Sequence, residues 1–314
     1  MLDSKTDISD NFCFYRPISS KKINAIWEIT SLCNLNCRHC FRHISDSDLS
    51  LEDKLKIISQ FENNQIGRVL ITGGEPMLSN GIIEIVREIQ AKEIPVKMVS
   101  NLSFDNKVIL QLLRIVGTDF EVSTSIDGHT DELHDYVRGH GNFSILCKNL
   151  TLLTNSSVSV SAICVITKQN RVYAEDVIMF CINKGLKTIT FSKLMEDETS
   201  GQSIDFYRDN KLDKIDETAF LLNIKTLRIR HTGINIRTVG FLNGECVVAG
   251  KSILFISHQG NVHPCSMMRN DKIHFNILEY KLSEILKNIE NEPVESFSCS
   301  CPSLNMNINK IDSE

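Results

Sequence analysis

Three cysteines, Cys33, Cys37 and Cys40, stand in the stretch SLCNLNCRHCF (residues 31–41) at the spacing CxxxCxxC. Structural zinc and closed 4Fe–4S sites take four ligands. Three thiolates on one short loop suit a 4Fe–4S cluster in which each thiolate holds one iron and the fourth iron stays open to a substrate or cofactor. The competing readings are zinc with a remote ligand, His39 or His43, or three small buried residues. A second group follows late in the chain: Cys246, Cys265, Cys299 and Cys301. Four thiolates suffice for one closed 4Fe–4S cluster, and equally for a zinc ribbon.

The compartment bears on both groups. The 314 residues carry a net charge of −5, with 42% hydrophobic and 23% charged residues. No basic excess points to nucleic acid. No apolar run is long enough to cross a membrane, and the polar, acidic start MLDSKTDISDNF lacks the basic and apolar regions of a signal peptide. A cytoplasmic protein is expected. A reducing compartment disfavours disulfides, so clustered cysteines there point to metal or redox chemistry.

The elements that must position these residues alternate. AIWEIT (25–30), RVLIT (68–72), PVKMVS (95–100), DFEVSTSI (119–126), SVSVSAICVI (157–166) and LKTITFS (186–192) read as strands. Helical patterns follow at 49–64, with Ser50 as N-cap, and at 80–92, 105–116, 142–154, 172–184 and 216–229. Six such units predict an α/β fold, a partial (β/α)6 barrel or a doubly wound sheet. After about residue 235 the pattern changes. Two β runs around Gln259-Gly260 read as a hairpin, followed by a short helix in KLSEILKNIE and by CSCPS. The expected organisation is an extension over 1–23, a barrel over 24–232 and a small hairpin-plus-helix module over 233–314.

Ligands of parallel α/β folds gather at the C-terminal ends of the strands. Strand one here is followed by the cysteine loop, strand two by TGGEP (72–76), strand three by Asn101 and strand four by SIDG (125–128). Over residues 24–192, a CxxxCxxC loop after the first strand and GGEP after the second resemble the radical S-adenosylmethionine (radical SAM) superfamily. The resemblance implies a partial (β/α)6 barrel in which Cys33, Cys37 and Cys40 bind a 4Fe–4S cluster. The amine and carboxylate of SAM then chelate the open iron, and reductive cleavage gives a 5′-deoxyadenosyl radical that abstracts a substrate hydrogen. It further implies that Gly73 and Gly74 allow close backbone approach, that Glu75 accepts from the SAM ammonium, and that Ser125 and Asp127 contact its ribose. Arg138 resembles the family arginine that steadies the SAM carboxylate. Asn101 is a further SAM contact, and Phe41 packs on the adenine or in the core.

The segment from Cys246 through Gly260 to Cys265 matches CX13GX4C, which is similar to the pattern that opens the SPASM and Twitch extensions of the same superfamily. With Cys299 and Cys301 it implies one auxiliary 4Fe–4S cluster, although the CxC pair is tighter than the family spacing. That class acts mostly on ribosomal peptides, making epimers, thioethers or carbon–carbon crosslinks. Peptide substrate, a separate leader-recognition protein and a flavodoxin or ferredoxin-type electron donor are therefore the expected partners. Alternatives are two-electron oxidation of a sugar-like alcohol and a non-catalytic iron–sulfur protein. Cys164, on strand five, is a candidate hydrogen-atom donor if it faces the barrel. Glu196, Asp197 and Glu198 follow strand six and are candidate bases by location.

Overall fold

Trp27 is the fifth of six residues in a strand with no exposed residue, β1 (Ile23–Glu28), and its ring meets Phe61 edge-on at 6.0 Å. A strand buried on both faces reads as a near-continuous apolar run, as INAIWE does, because neighbouring strands flank it and helices cover it. The computed structural model describes residues 22–40, 48–63, 65–195, 204–241, 252–266 and 275–291. From β1 the chain runs through α1 (Leu51–Ser59), β2 (Ile66–Thr72), α2 (Ile82–Ala91), β3 (Val96–Ser100), α3 (Lys107–Leu112), β4 (Phe120–Ser125), α4 (Asp131–Arg138) and α5 (Asn142–Thr154). It continues with β5 (Ser159–Ile166), α6 (Ala174–Asn183), β6 (Thr188–Lys193), α7 (Ile204–Asn210), α8 (Lys214–Arg230), β7 (Asn235–Val239), β8 (Ile253–Ile256), β9 (Asn261–His263), β10 (Phe275–Asn276) and α9 (Leu282–Asn291).

The ten strands among the described residues belong to one sheet in the order β10-β9-β8-β1-β2-β3-β4-β5-β6-β7. Pairing is parallel from β8 to β7, and antiparallel only for β8 with β9 and β9 with β10. The outermost strands, β10 and β7, do not pair, so the partial barrel is not closed by hydrogen bonds. Side chains alternate between its two faces. Val69, Ile71, Met98, Val122 and Ile189 point outward into the main core beneath the helices. Their neighbours Leu70, Lys97 and Glu121 form the concave face in one register across β2 to β4, and Thr190 of β6 lies on the same face level with Ser125.

Local signals set the helices. Ser50 caps α1 as expected, its hydroxyl accepting from Asp53 N at 3.1 Å. Lys54 faces the core without exposure and donates to Ser79 Oγ at 2.7 Å while pairing with Asp48 at 2.9 Å, so the buried ammonium is satisfied.

The expected boundary near residue 232 does not divide the sheet. β7 begins at Asn235 and adds a seventh parallel strand beside β6, and β8 pairs with β1 through Ala25↔Leu254. The edges of an open sheet offer unpaired N–H and C=O groups, and the later chain satisfies some of them. The hairpin at Gln259-Gly260 is present as β8 and β9, with Gly260 at φ +83. Leu282, Ile285 and Ile289 of α9 join the main core. Helices α4 and α7 were not part of the sequence expectation.

Candidate cluster and cofactor site

The cysteine loop leaves β1 beside the TGGEP loop that leaves β2, and the two backbones bond directly. Ile29 N donates to Thr72 O (2.9 Å), Gly74 N to Thr30 O (2.8 Å) and Glu75 N to Leu32 O (2.7 Å). A Cβ at Gly73 would lie 2.6 Å from Thr30 O, and one at Gly74 would lie 2.2 Å from Leu32 O. The close approach that the two glycines permit is thus to the cysteine loop itself.

Glu75 is fully buried and accepts three hydrogen bonds. Met77 N (3.1 Å) and Ser100 Oγ (2.8 Å) reach Oε1, and Asn101 N (2.7 Å) reaches Oε2. Burial pushes its carboxyl up to about 7 against these donors. The residue expected to receive an ammonium therefore first binds the end of β3 to the end of β2. Asn101 continues the chain of contacts. Its Oδ1 accepts from Ser103 N (2.7 Å), while its Nδ2 donates to Asn34 Oδ1 (3.1 Å) and lies 4.0 Å from Cys33 Sγ. Leu102, next to it, holds a left-handed φ of +53, with its N donating to Ser100 Oγ (3.1 Å) and its O accepting from Asn149 Nδ2 (2.9 Å).

A second group of contacts comes from β4. Asp127, fully buried, accepts from Arg138 Nε at 2.7 Å and from Val165 N at 2.9 Å, and its Oδ2 is 3.2 Å from His39 Nε2. Burial works against ionisation, but the Arg138 guanidinium and His39 hold the carboxyl well below the usual range. Arg138 Nη1 in turn lies 3.8 Å from Cys37 Sγ, and Nη2 3.2 Å from His39 Nε2. Asp127 and Arg138, expected at the ribose and carboxylate of SAM, are bonded to each other and reach the cysteine loop. Ser125 ends β4, half-buried, on the concave face.

Arg138 is delivered by α4, whose local sequence carries its own start and stop signals. Thr130 accepts from Leu133 N, Asp131 and Glu132 occupy the first turn, and Gly139 ends the helix at φ +102. Asn34 and His39 were also missed as contacts of the site, because hydrogen-bond partners 67 and 88 residues away leave no local pattern.

The donor set fits an iron–sulfur cluster. Cys33, Cys37 and Cys40 are free and half-buried. Leu35 N donates to Cys33 Sγ at 3.4 Å, and the Arg138 cation faces Cys37, contacts that favour thiolate sulfur. Burial raises both thiols, Cys37 to about 11 with Arg138 opposing, so loading metal must release protons. Among the described residues, no three His, Cys, Asp or Glu side chains converge on one ion. A cubane, with one thiolate per iron, does not need them to. Of the two imidazoles offered by the zinc reading, His39 has its Nε2 engaged with Asp127 and Arg138 while its buried Nδ1 has no hydrogen-bond partner among the described residues, and His43 lies outside the described residues.

Other expected residues fall elsewhere. Cys164 does not face the barrel: strand alternation turns it into the helix-side core, 1% exposed, with Asn170 Nδ2 3.8 Å from its sulfur. Cys265 is buried just after β9. Phe41, Cys246, Cys299, Cys301, Glu196, Asp197 and Glu198 lie outside the described residues. No helix among the described residues is long and apolar enough to cross a membrane.

Comparison with known proteins matches residues 27–181 to the radical SAM superfamily. The mycofactocin maturase MftC of Mycolicibacterium smegmatis is 33% identical over 150 residues, covering 46% of this chain and 38% of that protein. The chain thus spans well under half of that relative. The AdoMet-dependent heme synthase of Oleidesulfovibrio alaskensis is 24% identical over 272 residues, covering 78% of this chain and 70% of its own. Streptococcus suis SuiB, in its crystal structure bound to precursor peptide SuiA, superposes with a TM-score of 0.72 at 16% identity, covering 89% of this chain and 67% of that one. That likeness is one of fold.

Proposed function

Because residues 27–181 are a radical SAM domain, of a family that uses S-adenosyl-L-methionine and a 4Fe–4S cluster, we propose that this chain cleaves SAM reductively and abstracts a hydrogen atom from a ribosomally made peptide. The observation that carries the reading is the cysteine loop bonded, backbone to backbone, to TGGEP, with Arg138 against Cys37. When bound, the cluster supplies the electron that splits SAM into methionine and a 5′-deoxyadenosyl radical. Cys33, Cys37 and Cys40 hold three of its irons. Asp127 orients Arg138 toward Cys37, and Glu75 fixes the ends of β2 and β3 as the floor of the SAM site. Gly73, Gly74, Asn101 and Ser125 would complete the SAM surface; Phe41, expected on the adenine or in the core, lies outside the described residues. Cys246, Cys265, Cys299 and Cys301 hold an auxiliary 4Fe–4S cluster.

Peptide chemistry (epimerisation, thioether or carbon–carbon crosslinking) is supported by the maturase relative and by the peptide-bound SuiB fold. A separate leader-recognition protein and a flavodoxin or ferredoxin-type reductant complete the system. The heme synthase match, which runs over more of the chain, favours a second reading in which the same radical acts on a small molecule. Reconstituted protein given SAM and dithionite is expected to release 5′-deoxyadenosine. Deuterium carried into that product from labelled precursor peptide supports the first reading, and deuterium only from a labelled small substrate supports the second. Fully loaded protein that yields no 5′-deoxyadenosine overturns both.

A further inference from the structure

Helix α8 is apolar on two sides. Phe220, Ile224 and Leu227 point into the main core. Ile215, Leu222 and Ile229 point the other way and are 81%, 58% and 80% exposed. Recurring every seven residues, they form one stripe along the helix. A surface helix ordinarily carries a single apolar stripe, the one that faces the core. The second stripe of α8 stays in water unless another surface covers it.

The patch extends sideways. Arg171 pairs with Asp216 at 2.9 Å and Arg230 with Glu175 at 2.7 Å, which holds the start of α6 alongside α8. Val172 and Tyr173, just before α6, and Met179 within it are exposed. Six of the twelve large hydrophobic side chains exposed among the described residues therefore lie on two neighbouring elements.

The exposed stripe is symmetric about Leu222. Ile215 and Ile229 are equidistant from it along the chain, and so are the exposed Thr218 and Thr226. A second α8 running antiparallel, related by a two-fold axis at Leu222, sets Leu222 on Leu222, Ile215 on Ile229 and Thr218 on Thr226. A two-fold interface must be self-complementary in this way, whereas a foreign partner imposes no such symmetry. Charge agrees with it. Asp213 caps the start of α8, Asp216 and Glu217 lie in its first turn, and Arg228 and Arg230 lie in its last. Antiparallel pairing brings the acidic end of one copy to the basic end of the other. Asp216 and Glu217 also pair within the chain, with Arg171 and Lys193, so this contribution is small and apolar burial carries the contact. Lys214 falls opposite Arg230, a cation already matched by Glu175 at 2.7 and 2.8 Å. Covering the whole patch in both copies removes roughly 1,200 Å² from water, the low end for a specific interface.

We propose that α8 is the contact surface for a second copy of this chain, packed antiparallel about a two-fold axis at Leu222. The core-facing residues of α8 place it in the outer helix layer, so the pairing leaves the cysteine loop of each copy open. The dimer does not depend on the reaction proposed above.

Sedimentation velocity of the reconstituted full chain, from submicromolar to near-millimolar concentration, is expected to show a monomer–dimer equilibrium. Leu222→Glu sets two carboxylates against each other at the axis and should weaken the dimer at least about a hundredfold. Leu222→Lys should do the same. Mixing the two variants should restore the dimer, because Glu then meets Lys across the axis. Leu222 is more than half exposed, so both variants should fold, as circular dichroism checks. A wild-type monomer at every concentration overturns the proposal and leaves the face to another segment of the chain or to a foreign protein. A dimer unaffected by Leu222→Glu overturns it as well. So does a dimer lost in both variants and not recovered in the mixture, since Leu222 then does not meet itself.

Discussion

Asp127 and Glu121 sit on the same barrel, one just past the end of β4 and one near its start, and they are held in opposite ways. Asp127 is fully buried and engaged by a guanidinium at 2.7 Å, a backbone N–H and an imidazole. Glu121 is 35% exposed on its side chain and shares two cations at 3.6 and 3.7 Å. The first arrangement leaves nothing over: every contact holds the cysteine loop, β4, α4 and β5 in one geometry. The second leaves donor capacity on the cations. A preorganised reaction centre needs fixed walls, whereas a binding site needs groups still able to change partners.

The largest expected break is at the cysteine loop. Cys37→Ala should lose iron in proportion to the missing ligand and drop 5′-deoxyadenosine formation to background, read by iron and sulfide analysis beside chromatography. An unchanged iron content would remove Cys37 from the ligand set.

Next is the Asp127–Arg138 pair. Arg138→Met leaves an uncompensated buried carboxylate, so the apo-protein should lose about 3–5 kcal/mol in denaturant unfolding, with Asp127→Asn combined with Arg138→Met recovering part of it. Simple additivity of the two single changes would show that the pair does not act as a unit.

Gly74→Ala tests the loop-to-loop contact. Its new Cβ would meet Leu32 O at 2.2 Å, which backbone must yield to, and a loss of about 1–3 kcal/mol is expected. Glu75→Gln places an amide among three donors and should lose a similar about 1–3 kcal/mol. Thermal or denaturant midpoints of the apo-protein check both without reference to activity.

The smallest effect on stability is expected in the barrel interior. Glu121→Gln breaks only long, partly exposed pairs and should change stability by less than about 1 kcal/mol. A larger loss in the denaturant midpoint of the apo-protein would mean that these pairs hold more tightly than their distances indicate.

Much of this molecule was legible in its sequence because the signals are local. The strands β1 to β6 and most of the helices between them announce themselves through apolar periodicity, and Ser50 through its cap. CxxxCxxC and GGEP place thiols and glycines at adjacent strand ends because each lies within a few residues of a strand. The parts missed are of another kind. β7 adds an edge strand beside β6 and β8 joins β1 to the hairpin, and nothing local distinguishes a strand recruited to the sheet by open hydrogen bonds from the hairpin of a separate module. Cys164 is a hydrogen-atom donor candidate only if it faces the barrel, and the parity of β5 set by its neighbours turns it to the helix side.

The sequence alone determined the chemistry that is available: three thiols short of a closed set, a glycine pair beside them, and strands to carry both. Only the tertiary structure decided what surrounds that chemistry. Asp127, Arg138, His39 and Cys37 meet although 101 residues separate Arg138 from Cys37, and Arg68, Lys97 and Arg237 turn to one face. Such juxtapositions follow from β-strand register and helix docking, which depend on the whole packed sheet and leave no mark in any short segment.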